Sequence, residues 1–238
     1  MSPQPPGPES SAVQTGGGTS RGERAQERVA ACLVLTAGYV DGLALLTFGT
    51  YVSFMSGNLT RLGVSLGQAK LHEALAPGDA ILSFTVGDVI GSLLIHAGLR
   101  QAHRILFGLI AVALLIALPL GAPGLGYLKI AVLSIAMGMM NPALSRVGGE
   151  VVILTFVTGT LRRIASHLAQ GLMRAPVPAP VGPWDSHFHR AAISARLLAT
   201  FVLGALLSGV ALWFTKSLAL LLPAAVLLVL ALRSRPEA

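Results

Sequence analysis

The sequence predicts an all-α integral membrane protein: six transmembrane helices arranged as two inverted three-helix repeats, each with a short amphipathic or re-entrant motif helix. Three observations carry that expectation. Hydrophobic residues make up 53% of the chain, charged residues only 11%, and mean hydropathy is +0.73, whereas soluble domains carry about 25% charged residues. The apolar residues arrive in blocks of about 20, the length that crosses a hydrocarbon core. The third observation is a duplication. Ser53-Phe-Met-Ser-Gly-Asn-Leu-Thr-Arg-Leu-Gly63 is echoed by Thr155-Phe-Val-Thr-Gly-Thr-Leu-Arg-Arg-Ile-Ala165. An offset of 102 sets Phe54 on Phe156, Gly57 on Gly159, Leu59 on Leu161 and Arg61 on Arg163. Upstream, Gly38-Tyr-Val-Asp41 matches Gly138-Met-Met-Asn141 at an offset of 100. A repeat of this length dictates architecture.

In chain order, residues 1–28 read as an N-terminal tail, 29–120 as the first repeat and 121–235 as the second. The tail is rich in Pro, Gly, Ser and Gln to about residue 24, has too little apolar surface to fold, and does not read as a cleaved signal peptide. The first span is expected from Val29 to about Phe48, and a polar-punctuated region, 49 to 78, holds the first motif copy. Pro77-Gly78 is expected to break the chain there, with Asp79 capping a second span from Ala80 to about Leu99. Arg100-Gln-Ala-His-Arg104 turns into a third, Ile105 to Leu120. The fourth runs from about Leu125 to Leu144, and a Pro-rich linker, Ala175 to Pro183, follows the second motif copy. Ser186 is the expected cap of the fifth span, about Ala191 to Phe214, and the sixth covers about Leu218 to Leu232. Gly87 with Gly91, and Gly204 with Ser208, sit four apart and correspond in the repeat, a spacing that lets helix backbones approach closely in lipid.

Charge supports this plan. With the N-terminus in the cytoplasm, thirteen of the 17 lysines and arginines fall on the cytoplasmic side, and only Arg61, Lys70, Lys129 and Lys216 fall outside. That is a positive-inside distribution, so the net charge of +7 reflects topology and no nucleic-acid partner is expected. Both termini are then expected to be cytoplasmic. The single Cys32 excludes an intrachain disulfide and reads as a small packing residue.

Three spans per repeat is an odd number, so tandem copies lie upside down to each other. Carriers and channels built this way hold their site near the midplane between the halves. Each motif copy resembles a loop followed by an amphipathic helix, with Leu59, Leu62 and Leu66 on one face and Leu161, Ile164, Leu168 and Leu172 on its counterpart. Two readings are open: a helix flat at the interface, or a re-entrant half-helix whose start, near Gly57 or Gly159, aims N–H groups inward at an anion or polar solute. The candidate pathway residues in these copies are Ser56, Gly57, Asn58 and Arg61, and Thr158, Gly159 and Arg163.

Asp41 and Asp88 are ionisable residues inside spans, at expected depths of about 18 Å from the cytoplasmic end and about 12 Å from the outer end. Burying a carboxylate there costs about 2.5–3.5 kcal/mol, so both are expected to face the protein interior, with Arg61 within reach. Each reads either as a structural bond to Arg, Ser or Thr or as a proton or cation site. Asn141 replaces Asp41 in the second repeat and Ala205 replaces Asp88, so an acidic site is one-sided. His96 reads as a packing or snorkelling residue near the inner interface. Asp185-Ser-His187-Phe-His189, with His167 nearby, does not make a metal site, because an i, i+2 pair diverges on a helix. No catalytic constellation and no cofactor motif stand out. The expected partners are the lipid bilayer, an unidentified small solute or ion, and, as a candidate, a second copy of the chain.

The two blocks also carry a family likeness. Gly38-Tyr-Val-Asp41 with Ser53-Phe-Met-Ser-Gly-Asn58 resembles the VDA … FMTGN signature of the YoaK-like bacterial membrane proteins. Met137-Gly-Met-Met-Asn-Pro142 with Thr158-Gly-Thr-Leu161 is similar to that family's second-half signature. Gly42, Ser56, Met140 and Pro142 depart from it, and a proline at 142 would kink the fourth span. The resemblance implies a multi-span inner-membrane protein and no particular biochemical activity. The leading function expected is therefore a small-solute carrier or channel with its site between inverted repeats; the alternative is a non-transporting membrane scaffold or assembly protein.

Overall fold

The structure, a computed structural model, describes residues 20–121, 124–143, 146–147, 150–151, 157–178, 180, 182 and 184–234. The tail 1–19, Thr155 and Phe156 of the second motif copy, and 235–238 lie outside the described residues. Eight α-helices follow in order: α1 (Ser20–Phe48), α2 (Met55–Gly67), α3 (Leu71–His96), α4 (Ala102–Ile116), α5 (Gly126–Met140), α6 (Val157–Leu172), α7 (His187–Thr215) and α8 (Leu221–Arg233). Short 3-10 turns, Pro119–Gly121, Asn141–Ala143 and Lys216–Leu220, finish or introduce them, and Arg146–Val147 pairs antiparallel with Glu150–Val151.

Among the described residues, three stretches are long and apolar enough to cross a membrane: Gln26–Phe48, Leu71–His96 and His187–Thr215. Ala102–Ile116 and Leu218–Arg233 are shorter apolar helices. A 15-residue helix such as α4 or α5 is about 22 Å long, short of the roughly 30 Å hydrocarbon core.

The largest departures from the expected boundaries are at the starts of α1 and α3. Helix α1 begins at Ser20, not Val29, because Arg21 to Arg28 is largely a run of Glu, Arg, Ala and Gln, good helix formers that extend the apolar block. Glu27 there ion-pairs with Arg196 of α7 at 2.6 Å. Helix α3 begins at Leu71 and runs through Pro77, so neither the expected break at Pro77-Gly78 nor an Asp79 cap occurs. The turn falls earlier, where Ala69 takes a left-handed φ of 57° and Lys70 precedes the helix. Pro77 lies in the second turn, so it removes a single intrahelical bond near the helix start and not in its middle. By contrast, Ser186 does cap α7, its Oγ accepting the His189 backbone N–H at 3.1 Å. Helix α5 ends one residue before Asn141-Pro142, where the proline forces a tighter turn.

The longest packing faces run between α1 and α7 and between α3 and α5; α2 lies on α3, α6 on α7, and α4 on α8. The core gathers Leu33 and Val40 of α1, Ile110 and Leu114 of α4, Met137 and Met140 of α5, and Leu227 of α8. Glycines set how closely the long helices cross. A Cβ on Gly38 would sit 2.1 Å from the Phe201 carbonyl oxygen, and one on Gly204 2.2 Å from that of Leu35. The α3–α5 crossing does the same: Gly87 meets the Ile135 carbonyl and Gly138 that of Phe84, each at 2.1 Å. Backbone thus lies on backbone, as small residues allow in lipid. The bundle's outside is apolar: Leu82 is 71% exposed and Trp213 84%. Large contiguous apolar surface of this kind suits hydrocarbon.

Candidate functional site

Asp41 lies one turn beyond the Gly38 crossing, where α1 carries it inside the bundle, and it is 3% exposed. One carboxylate oxygen accepts the backbone N–H groups of Val52 and Ser53, each at 2.8 Å, and the other accepts the Ser53 hydroxyl. The chain between α1 and α2 is thereby stapled to the span it has just left. Charge-assisted bonds of this type are about twice as strong as neutral ones, which is what a carboxylate needs away from water. Of the two readings available from sequence, the geometry here is the Asp–Ser bond.

The rest of the first motif closes on itself. Asn58, fully buried, accepts the Tyr51 backbone N–H at 3.3 Å through its side-chain oxygen and donates to the Tyr51 carbonyl at 2.7 Å. The Tyr51 and Phe54 rings meet edge to face with centroids 5.2 Å apart, and the Phe54 ring crosses so near Gly57 that a Cβ would meet it at 2.7 Å. Ser56 faces outward. Arg61 does not reach either aspartate: its Nη1 donates to the Thr50 hydroxyl at 3.2 Å, because α2 turns that side chain back along its own loop.

Both motif helices are built inside out relative to a soluble helix. In α2 the buried residues are Asn58 and Ser65, while Leu59, Val64 and Leu66 are more than half exposed. In α6 the buried residue is His167, while Leu161, Leu168 and Leu172 point outward. In water that pattern would be unstable; against lipid it places apolar surface where hydrocarbon is and polar groups where partners are.

Asp88 belongs to the other crossing. It is half-buried, beside Gly87, and one carboxylate oxygen accepts the Asn141 amide at 3.4 Å. The early start of α3 puts it about 25 Å along that helix from Leu71, against the about 12 Å expected for a span beginning at Ala80. With Thr85, Ser92 and His96 it lines an open groove of about 330 Å³ on the outer side of α3. The structure therefore separates the candidate residues: Asp41 and Asn58 each close on the chain between α1 and α2, and Asp88 with Asn141 forms a separate, open pair.

In the second motif, Thr158 is exposed and Gly159 half-buried in the first turn of α6, and the Arg163 Nη2 donates to the Thr160 hydroxyl at 3.4 Å. Sequence spacing missed what lies one turn on. His167 of α6 and His187 of α7 meet with Nδ1 atoms 3.0 Å apart, both buried. Such a bond needs one ring protonated at Nδ1 and the other bare there. Among the described residues no group of three or more His, Cys, Asp or Glu gathers as a metal site. Nearby, Arg190 grips Asp185 with two bonds, 2.9 and 2.7 Å, and donates to the Pro178 carbonyl, pinning the linker to α7. Lys129, which the topology placed at the outer surface, is 8% exposed and lines a cavity of about 30 Å³ with Thr47 and Phe48 at the end of α1.

Long apolar helices crossing on glycines, lipid-compatible outer faces and carboxylates engaged inside define a multi-span helical membrane protein. Residues 29–233 match the family described as "Protein of unknown function (DUF1275)", and the chain belongs to it. It is 32% identical over 200 residues to "UPF0700 transmembrane protein RA0705" of Rhizobium meliloti (strain 1021), covering 82% of this chain and 83% of that one. No solved structure matches.

Proposed function

We propose that the protein is a small-solute carrier or channel of the bacterial inner membrane whose polar site lies where its two halves cross. The observation that carries this reading is Asp88, half-buried, which lines an open groove along α3 and is bonded to Asn141 of the other half. Ionisable residues within spans face partners or water-filled routes, and they mark substrate or ion pathways by default. Asp41 is fully engaged by its own loop, which leaves Asp88 as the acidic group available to a solute.

The architecture we propose for it is the inverted one. Exchanging the halves turns the α1–α7 face into α5–α3 and sends α2 on α3 into α6 on α7. The reading counts α4, α5 and α8 as the remaining spans; short helices of this kind are accommodated by local bilayer thinning. It keeps both termini cytoplasmic by the positive-inside distribution. A non-transporting scaffold is the second reading, favoured by the closed Asp41–Ser53 network, which needs no solute. Neither reading calls for a cofactor or a catalytic role.

Uptake of labelled amino acids, sugars, organic acids and monovalent cations would be compared between cells with and without the protein. At least one class should move faster with it, and Asp88→Asn should remove the difference at an unchanged membrane level. Identical uptake across the panel would return the scaffold reading.

A further inference from the structure

The bundle buries charged side chains on different terms. Asp41 is held by Val52 and Ser53, and Arg190 by Asp185, but the Lys129 ammonium has no hydrogen-bond or ion-pair partner among the described residues. Lys129 stands in the first turn of α5. A lysine so near the end of an apolar helix ordinarily bends its ammonium back to water. This one stays 8% exposed and lines the cavity of about 30 Å³ between α1, α5, α7 and the turn before α8. The start of a helix carries partial positive charge, so the position is a poor one for a lone cation. Nor does the shared fold require a charge there. At the offset of 100 that sets Gly38 on Gly138, Lys129 falls on Val29.

We infer that this cavity is a binding site for one small inorganic anion of the halide class. Its volume suits a single water-sized occupant, too small for a sugar, an organic acid or a lipid headgroup. Phe48, Leu133, Leu212 and Leu220 make its walls largely apolar, and Lys129 and Thr47 bring the ammonium and hydroxyl donors. Low-dielectric walls strengthen the attraction between the ammonium and an anion, and a buried charge is stable only when it is paired. The start of α5 adds to this. Its N-cap, Leu125, makes no side-chain cap bond, and a Cβ on Gly126 would lie 3.9 Å from the Phe48 ring that walls the cavity. Uncapped N–H groups at a helix start favour an anion. No carboxylate lines the cavity. Asp41, about 9 Å back along α1 from Thr47, commits its oxygens to Val52 and Ser53. The inference does not rest on transport and concerns a different cavity from the Asp88 groove.

Full-length protein would be purified in mild detergent with gluconate as the anion, and binding of radiolabelled chloride measured by equilibrium dialysis at constant ionic strength. Wild type should bind saturably, close to one chloride per chain, and bromide should displace it where gluconate does not. Lys129→Met keeps the length of the side chain, removes the charge and should abolish binding. Thr47→Val keeps the shape of an exposed residue, removes a donor to the anion and should weaken binding about ten-fold. Thermal unfolding gives a second readout. A ligand bound by the folded chain alone stabilises it in proportion to the logarithm of its concentration, so the wild-type midpoint should climb as chloride replaces gluconate. Lys129→Met should melt at the same temperature in both salts. A wild type that binds no chloride holds a neutral lysine, and that result overturns the inference. So does a Lys129→Met chain that binds or responds as wild type does. If that variant fails to fold, Thr47→Val binding as tightly as wild type overturns the placement of the anion in this cavity.

Discussion

Gly138→Ala tests the close crossing of the two halves most directly. The added Cβ would lie 2.1 Å from the Phe84 carbonyl oxygen and 2.8 Å from the Asp88 nitrogen. An ordinary carbon–oxygen contact is about 3.3–3.6 Å, so α3 and α5 must part by about 1 Å. Both obstructing atoms are backbone, and Gly87 fixes the same interface from the other side at 2.1 Å from Ile135, so no side chain can swing away. A gap of that size forfeits a quarter to a half of each dispersion contact along the shared face, and overpacking of this kind typically costs about 1–3 kcal/mol. At about 2–4 °C per kcal/mol, the variant should melt roughly 2–12 °C below wild type. The measurement is thermal unfolding of purified protein in mild detergent. Gly209→Ala is the control, since nothing lies within 4 Å of its Cβ position. There the lost backbone freedom of the unfolded chain should leave stability unchanged or raise it by up to about 1 kcal/mol. If Gly138→Ala and Gly209→Ala melt alike, the α3–α5 approach is not as close as described and the packing argument fails.

Asp41→Asn should fold nearly normally, because one amide oxygen can still accept the Val52 and Ser53 N–H groups and the amide nitrogen can donate to the Ser53 hydroxyl. Asp41→Leu strands those buried donors and should destabilise by about 2–5 kcal/mol, read as lost expression and an earlier melt; a stable Leu variant would show that the staple is dispensable. For topology, Lys70→Cys and Arg174→Cys would each be made with Cys32→Ala, both positions being exposed. A membrane-impermeant maleimide should label the first in intact cells and the second only after lysis. Labelling from the same side means an even number of crossings between them and removes the inverted arrangement.

Composition and periodicity alone established the class. A chain with 11% charged residues and apolar blocks of about 20 has no soluble solution, and the repeated Phe-x-x-Gly blocks are a duplication visible in the sequence itself. The close glycine crossings were legible too, because spacing of four on a helix is a local property. What sequence could not decide was where each helix stops and which polar group meets which. Pro77 and Asp79 looked like a boundary, yet the helix runs through them, since a proline near a helix start loses one bond and neighbouring contacts with α2 hold that turn. Arg61 looked like the partner of Asp41, yet Ser53 and two backbone N–H groups take the carboxylate and Thr50 takes the guanidinium. His167 and His187, 20 residues apart, meet only because α6 folds back onto α7. Whether a polar residue in a span is closed in its own loop, as Asp41 is, or left open on a groove, as Asp88 is, depends on the helices packed around it. That choice belongs to the tertiary structure, because hydrogen-bond partners are set by distance in space and not by distance along the chain.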